Sequence, residues 1–410
     1  MSPAKRRGKG DGSLFKRSDG MWVGRVELPI GGDGKRRPRS VSSRDRNEAM
    51  RKLKKLRAEV EAGQLDVSSS TTVEKWLDHW LEDVHKRRVR PGTFTGDERI
   101  IRLHVKPHIG RKRLDKLTPA HVLQMHDAIE SDRNAQAAHG LLQQALKDAE
   151  RQGVVTRNVA LLVDKPHYSA AEKEPLTAEQ ATQLLKSTEN DPLYSRWMAA
   201  LLLGARQGEL LGLQWSRVDL VHGVVDFSWQ LQQLTMTHGC GERHSDGRYP
   251  CGFKRPTSCP QKYWDFPRWF EHKVLDKSLV MVRPKTKKRS ENVVPLPGPL
   301  WEELKKHHAT TINAHNPHDL VWYDGTIRDR YRDRKDWHLV LKRAGLPAAP
   351  LHVARHTSAT LLALAGVPEE IRMAILGHAG KDMARLYAHT SAAVELQRSA
   401  MDSAFQKLLP

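Results

Sequence analysis

Residues 20–30 read GMWVGRVELPI, an alternation that puts Trp22, Val26, Leu28 and Ile30 on one face of a strand and Arg25 and Glu27 on the other. GGDGK follows as a turn, and KRRPRSVSS can pair back as a second, very basic strand. Asp45 with Glu48 three residues on has capping-box spacing, and behind it Ala49, Leu53, Leu56 and Val60 recur at helical intervals until Gly63. The pattern predicts a small sheet plus one helix, ending near residue 66. DVSSSTT (66–72) is a linker, and from 73 to 165 the period is helical throughout. There Val73, Trp76, Trp80 and Val84 make one apolar stripe, RVRPGTF (88–94) separates the first two helices, and Thr118 caps a helix that starts at Pro119. A second linker, VDKPHYSAAEKEP (163–175), leads to a helix opened by a Thr177/Gln180 capping box. Strands are then expected in GVVDFSWQLQQL and in SLVMVRPKTKKRSENVVPLP, around a basic turn, before helices resume to the end. No internal repeat is visible. The expectation is an α+β multidomain chain of three units: a sheet-plus-helix module at 1–66, an all-helical domain at 71–165, and a mainly helical domain with a small antiparallel sheet at 172–410.

Charge adds a partner to this picture. The 410 residues carry a formal net charge of +20, and residues 1–60 hold 18 Lys+Arg against 7 Asp+Glu. A chain this basic, most basic at one end, points to a polyanion, most economically nucleic acid, with an anionic membrane surface as the competing partner. No apolar run of about 18 residues or more exists, and no apolar signal segment opens the chain. The expectation is therefore a soluble, cytoplasmic protein that does not enter a membrane. Its three cysteines all fall between residues 240 and 259, unlike a secreted disulfide framework.

The third unit contains LLLGARQGELLGLQW, RPKTKKRSENVVPLP, LHVARHTSATLLALAG, IRMAILGHAG and ARLYAHT, in that order. Each motif is weak alone. In series, with His378 and Tyr387 nine apart, they resemble the catalytic domain of the tyrosine recombinase (phage integrase) family, of the type carried by actinobacterial phages and mobile elements. The two upstream units resemble that family's core-binding and arm-site-binding domains. By this resemblance Arg206 matches the first catalytic arginine, Lys285 the lysine of the strand-turn-strand, His352 and Arg355 the HxxR pair, His378 the histidine of LGH, and Tyr387 the nucleophile. Lys287 and Lys288 are neighbours that could stand in for Lys285. The chain departs from the family pattern at Gln207, where arginine is common, and at Val353, where aspartate is common; neither is a catalytic position.

These residue types suit the implied chemistry. Breaking and rejoining a DNA strand without ATP requires the phosphodiester bond to be stored covalently, and a tyrosine attacking the phosphate does so. A phenol, with a reference pKa near 10, needs a base or a cationic pocket, and histidine can serve as the base. Two guanidiniums can clamp the non-bridging oxygens of the transition state. A lysine on a hairpin is a credible proton donor to the leaving 5′ oxygen. The arginines supply the positive charge, so the chemistry is expected to run without a metal. Glu209, three residues after Arg206, is expected to orient it.

One segment is left over. THGCGERHSDGRYPCGFKRPTSCPQKYW, within an insertion at 235–277, holds Cys240, Cys251 and Cys259 with His238 and His244 beside the first. Three thiolates and one imidazole suit a tetrahedral structural zinc, with His238 the preferred fourth ligand and His244 the alternate. The rival reading is a loose loop with incidental thiols.

The resemblance implies a recombinase that integrates or excises a mobile element through a 3′-phosphotyrosyl intermediate. It also implies core and arm attachment sites on double-stranded DNA, a homotetramer on that DNA, and an excisionase and a DNA-bending host factor as accessory proteins. The tail from His389 carries Val394, Leu396, Met401, Phe405 and Leu408, enough for a helix that docks on a neighbouring protomer or packs in cis. Two rivals are a type IB topoisomerase, with the same chemistry and no strand exchange, and a non-catalytic DNA-binding regulator.

Overall fold

The computed structural model describes residues 13–27, 38–61, 71–169, 174–244, 247–284, 293–377, 391–406 and 408. Contacts divide the chain into two compact units, 1–169 and 170–410.

In the first unit, β1 (Ser13–Lys16), β2 (Trp22–Glu27) and β3 (Pro38–Ser43) form an antiparallel sheet in that order. The sequence pattern anticipates β2 and β3. β1 is an addition, paired so that Phe15 faces Val23. Helix α1 (Arg46–Glu61) lays Leu53 and Leu56 on Val26, and these and Ala49 are buried, while Arg25 and Glu27 stay exposed. Leu28, Ile30 and Gly63 lie outside the described residues. The capping box is only half made. Asp45 accepts from the Glu48 amide at 2.7 Å, but the Glu48 carboxylate takes the Ser43 hydroxyl at 2.6 Å instead of returning to the cap. The shorter, charge-assisted hydroxyl bond wins, and it ties α1 to β3.

A separate cluster follows, built from helices alone. α2 (Val73–His79) continues into a π-helical turn, Trp80–His85; α3 (Pro91–Ile100) does the same through Val105; α4 (Lys106–Ile109), α5 (Pro119–Asp127) and α6 (Asp132–Arg151) complete it. Val73, Trp76 and Trp80 are buried, with Val84 packed at the edge. Both indoles find acceptors on α6: Trp76 donates to the Ala145 carbonyl at 3.1 Å and Trp80 to the Asp148 carboxylate at 2.8 Å. Pro91 starts α3, and Thr118 caps α5 with Pro119 in its first turn.

The second unit opens with α7 (Ala178–Ser187), where the Thr177/Gln180 capping box is complete. α8 (Tyr194–Leu202) is buried on every side, and α9 (Gln207–Leu211) follows directly. The strand expected over 223–234 is two strands in two different sheets. β4 (Val218–Asp219), β5 (Val224–Asp226) and β9 (Val293–Pro295) form one; β6 (Gln230–Gln233), β8 (Leu279–Val282) and β7 (His272–Asp276), in that order, form the other. The switch is local. Asp226 accepts from both the backbone and the hydroxyl of Ser228, at 2.7 Å each, turning the chain so that Phe227 enters the main core and Trp229 the smaller one. α10 (Gly298–Thr311), α11 (Arg330–Arg343), α12 (His352–Leu364), α13 (Glu369–Ile375) and α14 (Ser391–Phe405) complete the unit. Met401, Phe405 and Leu408 are buried in the unit's own core, so the tail packs in cis at these positions, while Leu396 is exposed. The architecture is the expected α+β one.

Arg196 of α8 and Asp333 of α11 form a wholly buried ion pair at 2.8 Å, with Gln207 donating to the same carboxylate oxygen at 2.8 Å. Trp197 and Trp322 flank the guanidinium. Removing one partner strands a charge where water cannot reach it. Asp333→Ala should therefore cost the second unit about 3–5 kcal/mol, read from a urea midpoint, whereas the double change Arg196→Met, Asp333→Leu should recover most of it. Equal losses in both variants would mean that packing rather than charge sets the cost.

Candidate active site

Arg206 is the residue just before α9, and its surroundings fix it twice. Its backbone amide donates to one Glu209 oxygen at 2.8 Å and its guanidinium to the other at 3.0 Å. The carboxylate is buried, whereas the Arg206 side chain is 40% exposed, so the pair presents the guanidinium outward from a fixed base. Burial pushes the Glu209 carboxyl up, and the Arg206 amide, Arg206 and Arg355 pull it back. The geometry is the one an orienting carboxylate needs. Behind it, α9 lies on β6, and at Gly212 a Cβ would meet the Leu231 backbone nitrogen at 2.5 Å. A side chain there would lift α9, and Arg206 with it, off the sheet.

Arg355 sits one turn into α12 and is buried. It donates to the Gly204 carbonyl and to the Leu376 carbonyl, at 2.6 Å each. Gly204 lies two residues before Arg206, and Leu376 two before His378. One guanidinium thus ties three of the sequence motifs together. Gly204 has φ +55, and a Cβ on it would meet Leu376 at 2.6 Å and the Ser358 hydroxyl at 2.9 Å, so only glycine fits this joint. Burial, then the nearby Arg206, brings the Arg355 pKa down to about 10, with Glu209 opposing. That is far above neutrality, so the guanidinium keeps its charge.

His352 is exposed at the first residue of α12, its ring edge-on to His356 at 4.7 Å. Lys285, His378 and Tyr387 lie outside the described residues. The chain leading to the first two is placed: β8 ends at Val282, three residues before Lys285, and α13 ends at Ile375, three before His378. Sequence reasoning passed over Gly204, Gly212 and the Arg196–Asp333 pair that Gln207 joins. The glycine immediately before ARQGE was the available sign of the first. At Gln207 the exchange has a local reason: its amide also reaches the Arg330 carbonyl at 3.2 Å, beside a carboxylate that Arg196 already neutralises.

A second grouping lies in the insertion between β6 and β7. His238, Cys240, Cys251 and Cys259 come together with their ligand atoms all within 4.8 Å of one another. His244 is exposed and belongs to a turn with Arg248.

Two family models match the chain: "Phage integrase, N-terminal SAM-like domain" over residues 72–128 and "Phage integrase family" over residues 270–393. An integrase of Saccharopolyspora erythraea is 30% identical over 411 residues, covering 94% of either chain. Among solved structures, the Tn1549 transposon integrase in complex with a circular intermediate DNA aligns with a TM-score of 0.54 and 19% identity, over 80% of this chain and 99% of that one. A lambda integrase tetramer bound to a Holliday junction gives a TM-score of 0.50 and 15% identity, over 90% and 96%.

Proposed function

Because the chain belongs to the phage integrase family and is a tyrosine-type site-specific recombinase, we propose that it cleaves and rejoins DNA at attachment sites, integrating or excising a mobile element through a 3′-phosphotyrosyl intermediate. The observation that supports this best is the joint at Arg355, whose one buried guanidinium grips the Gly204 carbonyl, two residues before Arg206, and the Leu376 carbonyl at the end of α13.

In this reading the Tyr387 phenol attacks the scissile phosphorus. The tyrosyl oxygen–phosphorus bond forms as the bond to the 5′ oxygen breaks, and Lys285 returns a proton to that oxygen. Arg206 and Arg355 stabilise charge on the non-bridging oxygens. His352 and His378 hydrogen-bond the phosphate or accept the phenolic proton. The intermediate conserves the phosphodiester bond energy, so a second 5′ hydroxyl can reverse the step on a new partner. The partner DNA has core and arm sites, the working form is a homotetramer on DNA, and an excisionase and a DNA-bending protein set direction. The helical part at 71–165 and the catalytic domain at 172–410 engage the core site.

The test is capture of covalent adducts. The full chain is incubated with genomic DNA, denatured, and the protein-linked fragments are sequenced. Recovery of discrete junctions, rejoined to a second duplex when one is supplied, is the expected result. Adducts scattered without sequence preference, with plasmid relaxation and no partner joining, would favour a topoisomerase instead.

The basic module at 1–66 is assigned to arm sites. Its removal should abolish arm-site binding and leave slow cleavage of core-site substrates. Binding by the module should also weaken steeply with salt, as expected when many Lys and Arg displace counterions from phosphate. A truncated chain that is folded yet inert on nicked core substrates would show that this division of labour is wrong.

A further inference from the structure

We propose that His238, Cys240, Cys251 and Cys259 form a structural zinc site that folds the insertion between β6 and β7. The first support is distance. His238 Nδ1 lies 3.8 Å from Cys240 Sγ and 3.5 Å from Cys251 Sγ. Zinc bonds of about 2.3 Å to sulfur and about 2.0–2.1 Å to nitrogen, at tetrahedral angles, put a nitrogen and a sulfur ligand about 3.6 Å apart. The observed separations straddle that edge length. They are too long for strong hydrogen bonds and suit ligands arranged around a shared centre.

Burial gives the second, independent support. From residue 235 to 269, His238 and Cys259 are the only buried side chains among the described residues. Apolar groups that might have made a core are turned outward: Phe253 is 47% exposed and Tyr263 48%. Trp264 and Phe266 pack at the edge of the cluster on β8, outside the loop itself. A segment of this length, folded around one imidazole and one thiol, has no hydrophobic reason to hold its shape. Coordination supplies one, because a metal that binds only the folded arrangement adds its binding energy to folding.

The backbone fits this role. A bridge between Thr237 and Tyr263 closes the neck of the insertion. Beyond it the segment is a series of single turns that place the ligands. Gly252 donates to Tyr249 across Cys251 at 2.7 Å, and Cys259 is the donor of one turn, to Pro256, and the acceptor of the next, from Lys262. The His238 ring is fixed by stacking on Tyr249, with centroids 3.6 Å apart and planes 9° from parallel. That leaves Nδ1 aimed at the thiols, while Nε2 is buried without a partner among the described residues. With zinc on Nδ1, the proton resides on Nε2.

Three soft sulfur ligands and an imidazole select zinc over magnesium or calcium, which prefer oxygen. The four protein ligands close the coordination sphere, as in structural rather than catalytic zinc sites. Zinc with three thiolates keeps one negative charge, and Arg243, Arg248, Lys254, Arg255 and Lys262 in the same segment offset it.

The experiment reads metal rather than recombination, so it stands apart from the proposed DNA chemistry. Full-length chain without a polyhistidine tag is purified under reducing conditions without chelators, and its metal is measured by plasma mass spectrometry. About one zinc per chain is expected, and exchange with cobalt(II) should give the intense sulfur-to-cobalt absorption of a tetrahedral thiolate site. Cys251→Ser should lower retained zinc at least tenfold, while His244→Ala should keep it. Chelation should open 239–262 to protease before the rest of the second unit. If Cys251→Ser cannot be purified folded, the zinc content and cobalt spectrum of the unaltered chain decide. A fully reduced, folded chain that takes up neither zinc nor cobalt overturns the proposal. So does Cys251→Ser holding an equivalent of zinc.

Discussion

Tyr387→Phe should bind attachment-site DNA like the unaltered chain and form no covalent adduct. The substitution removes one oxygen atom, and that atom is the nucleophile in the proposed step. Shape, charge and the arginine clamp are retained, so DNA affinity, which is dominated by phosphate contacts, should hardly move. The rate of adduct formation should fall by at least about a thousandfold, because no other side chain can form the same bond once the nucleophile is gone. The measurement is a denaturing gel on a nicked core-site substrate, beside a native gel for binding. Wild-type adduct from Tyr387→Phe would remove the nucleophile assignment. Loss of both binding and adduct would show that the phenol supports structure instead.

The sequence made the helical parts most legible, because their cores come from local periodicity. Trp76 and Trp80 sit one turn apart and bury together, and Thr118 and Thr177 announce helix starts with bonds to residues three positions on. The sheets were harder. SLFK at β1 is four residues long with no clean alternation, and it becomes a strand only because β2 offers it a partner. The break at Phe227–Trp229 depends on which of two cores each aromatic enters, which a one-dimensional pattern does not record. Glu48 had the capping-box spacing, and Ser43, five residues upstream, competed for it.

The candidate site divides along the same line. Motifs that carry chemistry are short and contiguous, so their order was visible. What positions them is long-range: Arg355 reaches Gly204 across 151 positions and Arg196 meets Asp333 across 137. No spacing rule encodes such pairs. The cysteine cluster was an intermediate case: the sequence suggested a ligand set and preferred His238 to His244, while only the fold shows His238 within 4.8 Å of the three thiols.

Arg355→Lys is the exchange that tests whether this joint matters to the chemistry. A lysine keeps the charge, but its three donors radiate from one nitrogen, whereas the guanidinium fork holds the Gly204 and Leu376 carbonyls from separate nitrogens. A guanidinium has five N–H groups, so gripping two carbonyls and contacting a phosphate are compatible tasks for arginine. Lysine at the same place must give up at least one of them. Leaving a buried carbonyl without its donor costs about 1–3 kcal/mol, so the variant should fold with a lowered melting temperature. Its single-turnover cleavage rate should fall about 100- to 1000-fold, the loss typical of one preorganised donor, while DNA affinity stays near that of the unaltered chain. Arg206→Lys supplies the contrast. That side chain is 40% exposed and pairs with Glu209, so its cleavage loss should come with little loss of stability. Cleavage at the unaltered rate by Arg355→Lys would reduce the buried guanidinium to a structural clamp. The two variants losing rate and stability in the same proportion would mean that Arg206 and Arg355 act through the fold, and the phosphate would then need other donors.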